Sequence, residues 1–453
     1  MNELRTGYAE NIITPSNGIA IEGYYIPRFA EGVITDLKVI AFVLSTPKNM
    51  AVVLSFDLCM IEVDLIDKLK NSIKECTGIK ESNIFITATH THTGPCLKAN
   101  NLFLCDEKPI QEYINFLINT TTKTVKEAVA DLRPTQMGYS IGKAPERIAY
   151  IRRYKMKDGS TMTCPPINDD NIDYPLGTLD QRVNVLRFDR ENADSVVVLN
   201  YGIHVDTVGG NKISSDWVGW TQGTLSKALD GVKCICIMGA QGDVGSTNVF
   251  PTNSDMNDTE ISFDNEMKSP GMARFVGRAL AGVVLQVYDK VEYIDVHDVN
   301  ILMEEIDVEL NKAEEKDLPL AHKYKQLHEK GCDNLIPYKA MELTTVVAEA
   351  MRMCRLENYP NRMKISMVGL KIGNIALIGI PGEPFTEIGV AIKEIGGFDL
   401  ILPCALTNGY EGYFPSKEAY DEGGYEARTS IYKKSVSESI VNCAKKILGE
   451  LNQ

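Results

Sequence analysis

Five apolar, β-branched runs in this chain each break into a loop carrying glycine and a histidine, aspartate, glutamate or tyrosine. Ile84–Ala88 runs into Thr89-His90-Thr-His92-Thr-Gly94-Pro95, and Ser195–Asn200 into Tyr201-Gly-Ile-His204. Lys233–Met238 leads to Gly239-Ala-Gln-Gly-Asp243, Ile375–Ile380 to Pro381-Gly-Glu383, and Leu400–Ala405 to Leu406-Thr-Asn-Gly-Tyr410-Glu-Gly-Tyr413. Short apolar runs bounded by Gly and Pro read as buried strands. Helical periodicity falls between them, at Leu65–Cys76 and from about Ile110 to Leu132. Lys38–Ser45 and Ala51–Ser55 read as a hairpin joined at Pro47-Lys-Asn49. Strands interleaved with helices predict an α/β fold with a mixed sheet. Its site should be built along one rim from loops far apart in sequence.

Charge excludes two classes of partner. The net charge of −14 and pI near 5.1 argue against nucleic acid or an anionic membrane surface, which need basic patches. The start, Met1-Asn-Glu-Leu-Arg-Thr-Gly-Tyr, has no apolar core of a signal peptide, and no run approaches the length of a spanning helix. Eleven scattered cysteines without a CxxC read as reduced thiols, so a cytoplasmic setting is expected. Cys234 and Cys236, two apart in an apolar strand, read as core. The chain reads as one catalytic domain over 1–453, with a charged, helical insertion or cap at 310–358 broken at Gly331-Cys-Asp. His322 and His328 read there as members of a solvated helix face. A small-molecule substrate is the expected partner, and homo-oligomerisation is left open.

His90 and His92 are two of only six histidines. In extended chain, side chains two apart point the same way, so both can converge on one metal or substrate. The pattern also fits two hydrogen-bonded polar residues at a strand end. A hydrolytic zinc site takes three or four N and O ligands and leaves a position for water. His90, His92, His204 and Glu383 are the candidates, with His204 also readable as a core histidine and Glu383 as a surface carboxylate. Tyr413 joins them only if a cation stabilises its phenolate, since tyrosine otherwise stays protonated to about pH 10. Asp57 and Asp243, at strand ends, could orient histidines or serve as turn carboxylates.

These residues lie in motifs that resemble the catalytic domain of the neutral/alkaline ceramidase superfamily. Thr87-Ala-Thr-His90-Thr-His92-Thr-Gly-Pro95 is similar to its signature. His204, Gly242-Asp-Val244, Pro381-Gly-Glu383, Asn408-Gly-Tyr-Glu-Gly-Tyr413, Glu418-Ala-Tyr420 and Gly424-Tyr425-Glu426-Ala427 follow in the same order. The resemblance implies a mixed-sheet zinc-hydrolase fold and one zinc per chain held by His90, His204, Glu383 and Tyr413. It implies His92 and Tyr425 beside the scissile bond, and an arginine from the Arg152-Arg153 pair, without choosing between the two. It places Asp243, Gly245 and Ser246 at the substrate.

The chain departs from that pattern. Ceramidases follow Gly-Asp-Val with a substrate-contacting serine; here Gly245 holds that position and Ser246 comes next. Ceramidases also continue into a β-sandwich and usually begin with a secretion signal, whereas this chain closes on an amphipathic helix near Lys433–Leu451. The expected activity is therefore zinc-dependent hydrolysis of an amide in a small or soluble substrate, with ceramide a poor one. Zinc would lower the pKa of its water to about 7. His92 would protonate the leaving nitrogen, and Tyr425 and an arginine would stabilise the oxyanion. The same centre could act on an ester, lactone or phosphate monoester, or bind metal without catalysis.

Overall fold

The computed structural model describes residues 3–98, 107–251 and 268–453. Among these residues nine strands form one large sheet. Its main path runs Lys233–Met238, Val196–Tyr201, Arg182–Arg190, Arg133–Lys143, Arg5–Ile12, Lys38–Ser45, Met50–Phe56, Ile84–Ala88. Glu292–Ile294 adds to Arg133–Lys143. A second sheet of four strands has the order Val299–Glu309, Arg362–Ile372, Ile375–Gly379, Leu400–Cys404.

Strand alternation builds the layers, because successive side chains face opposite sides of a sheet. Val39, Ala41 and Val43 pack outward with helices Val63–Thr77, Glu107–Ala130, Asp216–Ala228 and Pro270–Val287. Ile40, Phe42 and Leu44 face the second sheet, meeting Leu370, Leu377 and Leu402. The far side of that second sheet, with Met367, Ala376 and Ile378, packs on helices Thr386–Lys393 and Val436–Leu451. The result is a helix–sheet–sheet–helix sandwich, an α/β architecture with mixed sheets.

Three parallel strand pairs of the two main sheets each end at the site. They are Met50–Phe56 with Ile84–Ala88, Val196–Tyr201 with Lys233–Met238, and Ile375–Gly379 with Leu400–Cys404. The two ends of the large sheet approach one another: Ser55 Oγ donates to Cys236 O at 3.3 Å. The exit of Leu400–Cys404 is wedged between them, its Ala405 amide on Met238 O and its Leu406 carbonyl on the Ala88 amide. Loops hundreds of residues apart thereby share one rim.

The predicted elements lie where expected to within a few residues, the hairpin and the five apolar strands included. Region 310–358 carries helices Leu318–Glu329 and Ala340–Leu356 with a small apolar cluster of their own around Ile336, Val346 and Val347. It sits between two strands that pair with each other, Val299–Glu309 and Arg362–Ile372. His322 is partly exposed beside Glu357, but His328 corrects the sequence reading. Its side chain is only 8% exposed and its Nδ1 pairs with Asp333 across the turn at Gly331. No disulfide joins any of the ten described cysteines, and Cys105 lies outside the described residues. No helix among the described residues is long and apolar enough to cross a membrane.

Candidate metal centre and active site

The strand Ile84–Ala88 stops two residues before His90, whose φ of 72° is left-handed. A non-glycine residue held there carries backbone strain of a kind found at functional sites. His90 and His92 therefore converge through a tight turn and not through the extended backbone that the HxH spacing suggested. Neighbouring loops impose the turn: the His90 amide donates to Leu58 O at 2.8 Å and the His92 amide to Val205 O at 3.1 Å.

Three side-chain atoms meet in the buried centre. Glu383 Oε2 lies 3.1 Å from His90 Nε2 and 2.9 Å from His204 Nε2. Both imidazoles spend their other nitrogen on main-chain carbonyls. His90 Nδ1 lies 2.7 Å from Cys59 O, and His204 Nδ1 2.9 Å from Gln241 O and 3.0 Å from Val244 O. A carbonyl only accepts, so each Nδ1 carries the proton and each Nε2 turns a lone pair to the carboxylate. Glu383 Oε2 is fully buried and makes no hydrogen bond of proper geometry. Two lone pairs and an anionic oxygen facing one another call for a cation. Nitrogen and carboxylate donors of this kind suit a divalent metal such as zinc. The residues present fit a metal.

Without a cation, the demand for positive charge falls on the imidazoles themselves. Burial opposes a charged imidazole at His90, yet Glu383 overrides it and raises the pKa well above the ordinary value. Burial, reinforced by Arg152, lowers that of His204. Burial alone would raise the Glu383 carboxyl, but the two imidazoles drive it well below the usual range. Positive charge is demanded at this point.

Around the centre the predicted residues divide. His92 Nε2 is 3.3 Å from His90 Nε2, and burial lowers the His92 pKa well below its ordinary value. Tyr413 stands directly beside Glu383, since Glu383–Pro384 and Tyr413–Phe414 pair in parallel with these residues in register. Burial and the Glu383 charge push its phenol well up, so a phenolate there needs a cation nearby. Tyr425 opens the short helix Tyr425–Thr429, with its ring 5.6 Å from that of Tyr413.

The arginine ambiguity is resolved by direction. Arg152 Nη1 lies 3.1 Å from His204 Nε2, its Nε donates to Glu426 at 2.7 Å and its Nη2 to Gly242 O at 2.8 Å. Arg153, the neighbour in sequence, points elsewhere. It donates to Gly423 O and Glu422 and lies over the Phe385 ring, away from His204. Gly245 and Ser246 line a cavity of about 70 Å³ next to His204, with Arg152, Cys164, Asp206 and Lys268 among its walls. Asp243 is not among the residues lining it; its Oδ1 accepts the Thr386 amide and hydroxyl, both at 2.8 Å, at the start of a helix. Asp57 accepts the Lys38 amide at 2.9 Å, and burial lifts its carboxyl to about 7. The orienting partners of the two ligand histidines are backbone carbonyls, not these aspartates.

Sequence reasoning missed Tyr410, which donates to Glu383 Oε1 at 2.9 Å, and Glu426, which is fully buried against Arg152. Both lie inside motifs already singled out. It also missed Gly23, Tyr24 and Asp206, which surround His92 without belonging to any motif.

The comparisons with known proteins point one way. A family model described as neutral/alkaline non-lysosomal ceramidase, N-terminal, matches residues 7–245. That stretch holds His90, His92, Arg152, His204 and Asp243 but stops short of Glu383 and Tyr413. A curated neutral ceramidase of Mycobacterium tuberculosis (strain ATCC 25618 / H37Rv) is 24% identical over 397 residues, 78% of this chain. The match spans about three fifths (61%) of that relative's length. The crystal structure of neutral ceramidase from Pseudomonas aeruginosa superposes with a TM-score of 0.75 at 17% identity, covering all of this chain and 75% of that one. A ceramidase complexed with C2 gives 0.72, again at 17% identity and the same coverage. At that identity the superpositions establish the fold.

Proposed function

The chain belongs to the neutral/alkaline non-lysosomal ceramidase family, and from that premise we propose that it is a zinc-dependent hydrolase cleaving the amide of a small, polar substrate. The observation that carries the reading is the buried meeting of His90 Nε2, His204 Nε2 and Glu383 Oε2, with both Nδ1 protons fixed on carbonyls. Tyr413 is the fourth ligand in this reading. Bound there, zinc would supply Lewis acidity toward the scissile carbonyl and toward water.

The protein's own groups do the rest. His92, close to the ligands but not needed among them, moves the proton onto the leaving nitrogen, without which an amide does not cleave. Arg152, fixed by Glu426, and the Tyr425 hydroxyl face the negative charge that develops on the carbonyl oxygen. Helices 318–356 act as a cap: Met341, Glu342 and Thr345 share a surface cleft with Tyr425.

Two observations favour a short substrate over ceramide. The cavity beside His204 is small, and its walls carry Arg152, Asp206, Ser246 and Lys268. Glycine stands at position 245, where the family pattern has serine. That same departure keeps a second reading alive, in which the centre acts on an ester, lactone or phosphate monoester. Cysteines that form no disulfide among the described residues suit a cytoplasmic setting.

Elemental analysis joined to a substrate panel tests all of this. One equivalent of zinc and fastest turnover on a short-chain polar amide are expected, with ceramide far slower. A phosphate monoester or ester outpacing every amide shifts the assignment to the second reading. Protein without metal that gains no activity on adding zinc refutes the proposal.

A further inference from the structure

His92 is held from several sides, and one contact is unused. Its carbonyl takes Arg28 Nη2 at 2.7 Å, and the Tyr24 ring lies 5.5 Å from its own. Gly23 is packed so tightly against it that a Cβ there would sit 2.8 Å from His92 Cγ. Nε2 looks toward the ligand cluster. Nδ1 is buried and has no hydrogen-bond partner.

The group facing that nitrogen is Asp206, with Oδ1 3.7 Å away. Its carboxylate is itself fixed. Oδ1 accepts the Tyr24 hydroxyl at 2.5 Å, Oδ2 accepts Lys268 Nζ at 3.0 Å, and Lys268 also reaches the Tyr24 oxygen at 2.9 Å. Two donors, the Tyr24 hydroxyl and the Lys268 ammonium, hold it in place. An immobilised carboxylate thus looks at an orphaned ring nitrogen whose opposite side faces the reaction centre. The gap is slightly beyond a hydrogen bond, and such contacts tighten once substrate is in place.

We propose that Asp206 is a positioning residue for His92: it accepts a hydrogen bond from Nδ1–H, fixes the ring, and leaves Nε2 to exchange protons. The inference rests on the reading of His92 as proton donor. Water adds OH to the carbonyl carbon, and its other proton passes to Nε2. Nε2 then returns that proton to the departing nitrogen as the C–N bond breaks. A C–O and an N–H bond form, a C–N and an O–H bond break, and both Asp206 and the Nδ1 proton end as they began.

Leaving-group dependence tests it in the metal-loaded protein. An alkyl amide needs its nitrogen protonated, whereas a p-nitrophenyl ester of the same acyl group has a leaving group that needs no proton. Asp206→Ala should lower kcat for the amide by about 10²-fold, in the range of general acid–base effects, and for the ester by less than about tenfold. Lys268→Met breaks the same buried ion pair yet leaves the carboxylate facing His92, so its losses should be equal on both substrates. If Asp206→Ala fails to fold, Asp206→Asn, which keeps the shape, is read in its place.

A second readout does not depend on turnover. In ¹⁵N-histidine-labelled protein the His92 ring should show a protonated Nδ1 in the wild type, lost or exchanging in Asp206→Ala. Equal losses on amide and ester, or an unprotonated His92 Nδ1 in the wild type, overturn the inference. Amide hydrolysis damaged in His92→Ala but intact in Asp206→Ala overturns it while the proposed function stands. A silent His92→Ala overturns both.

Discussion

Replacing Gly23 by alanine should disable the protein without removing its metal. Gly23 has φ +113°, a region side chains rarely adopt, and forcing alanine there costs roughly 1–3 kcal/mol. The new Cβ would lie 2.8 Å from His92 Cγ and 2.9 Å from His92 Cα and Cβ. Ordinary carbon contacts begin near about 3.5 Å, so His92 must retreat by roughly 0.7 Å, and its main chain with it. A shift of that size costs about 1–3 kcal/mol more as overpacking, and misplacement near 1 Å costs about 10²-fold in rate. Gly18 supplies the control. Its φ is +88° and a Cβ there meets nothing within 4 Å, so Gly18→Ala carries the backbone cost alone. Urea unfolding should show Gly18→Ala destabilised by about 1–3 kcal/mol and Gly23→Ala by up to about twice that. Turnover of an alkyl amide should fall about 10²-fold only in Gly23→Ala, with zinc content unchanged in both. If the two variants turn over alike, Gly23 does not set the position of His92, or that position does not govern the reaction.

The centre itself predicts that His204→Ala and Glu383→Ala lose the metal while His92→Ala keeps it and loses turnover; equal metal loss in all three, by elemental analysis, would make His92 a ligand. Arg152→Ala should lower kcat by about 10²-fold or more through loss of oxyanion stabilisation. Arg153→Ala should instead cost about 1–3 kcal/mol in unfolding experiments through the lost bonds to Gly423 O and Glu422, with near-normal kcat in the folded fraction. Asp57 makes stability depend on pH. Its folded carboxyl lies near 7 against 3.8 for the free group, so the folded state binds more protons between these values and loses stability as pH rises through the window. The full cost is about 4 kcal/mol above pH 7. Asp57→Asn removes it, so its stability relative to wild type should be about 2–3 kcal/mol better at pH 8 than at pH 5; a pH-independent difference in urea unfolding refutes this.

The residues of the candidate centre were legible because chemistry and turn signals coincide there. His90, His204, Glu383 and Tyr413 each follow an apolar strand at a Gly-bearing loop, and five such loops imply one rim. Alternation along Lys38–Ser45 and the apolar strands fixes which side chains face the helices and which face the second sheet, so the α/β sandwich follows from local pattern. Asp57 and Asp243 stayed ambiguous in sequence for the same local reason: a carboxylate at a strand end looks alike whether it meets a histidine or caps a backbone amide. His328 looked exposed because a helix face alone does not reveal a pairing across the next turn.

What the chain determined by itself, then, is the set of strands, their alternating faces and the loops that carry ligands, since each depends on neighbours within a few residues. Direction and proximity across the fold were decided only in three dimensions. Arg152 and Arg153 differ by one position, yet one side chain reaches His204 and the other Gly423. The left-handed turn at His90 exists because Leu58 and Val205 accept its loop's amides, and Asp206 meets His92 because their loops leave different strands toward one rim. Such contacts join residues tens to hundreds of positions apart, and no local signal encodes which of many carboxylates arrives at a given nitrogen.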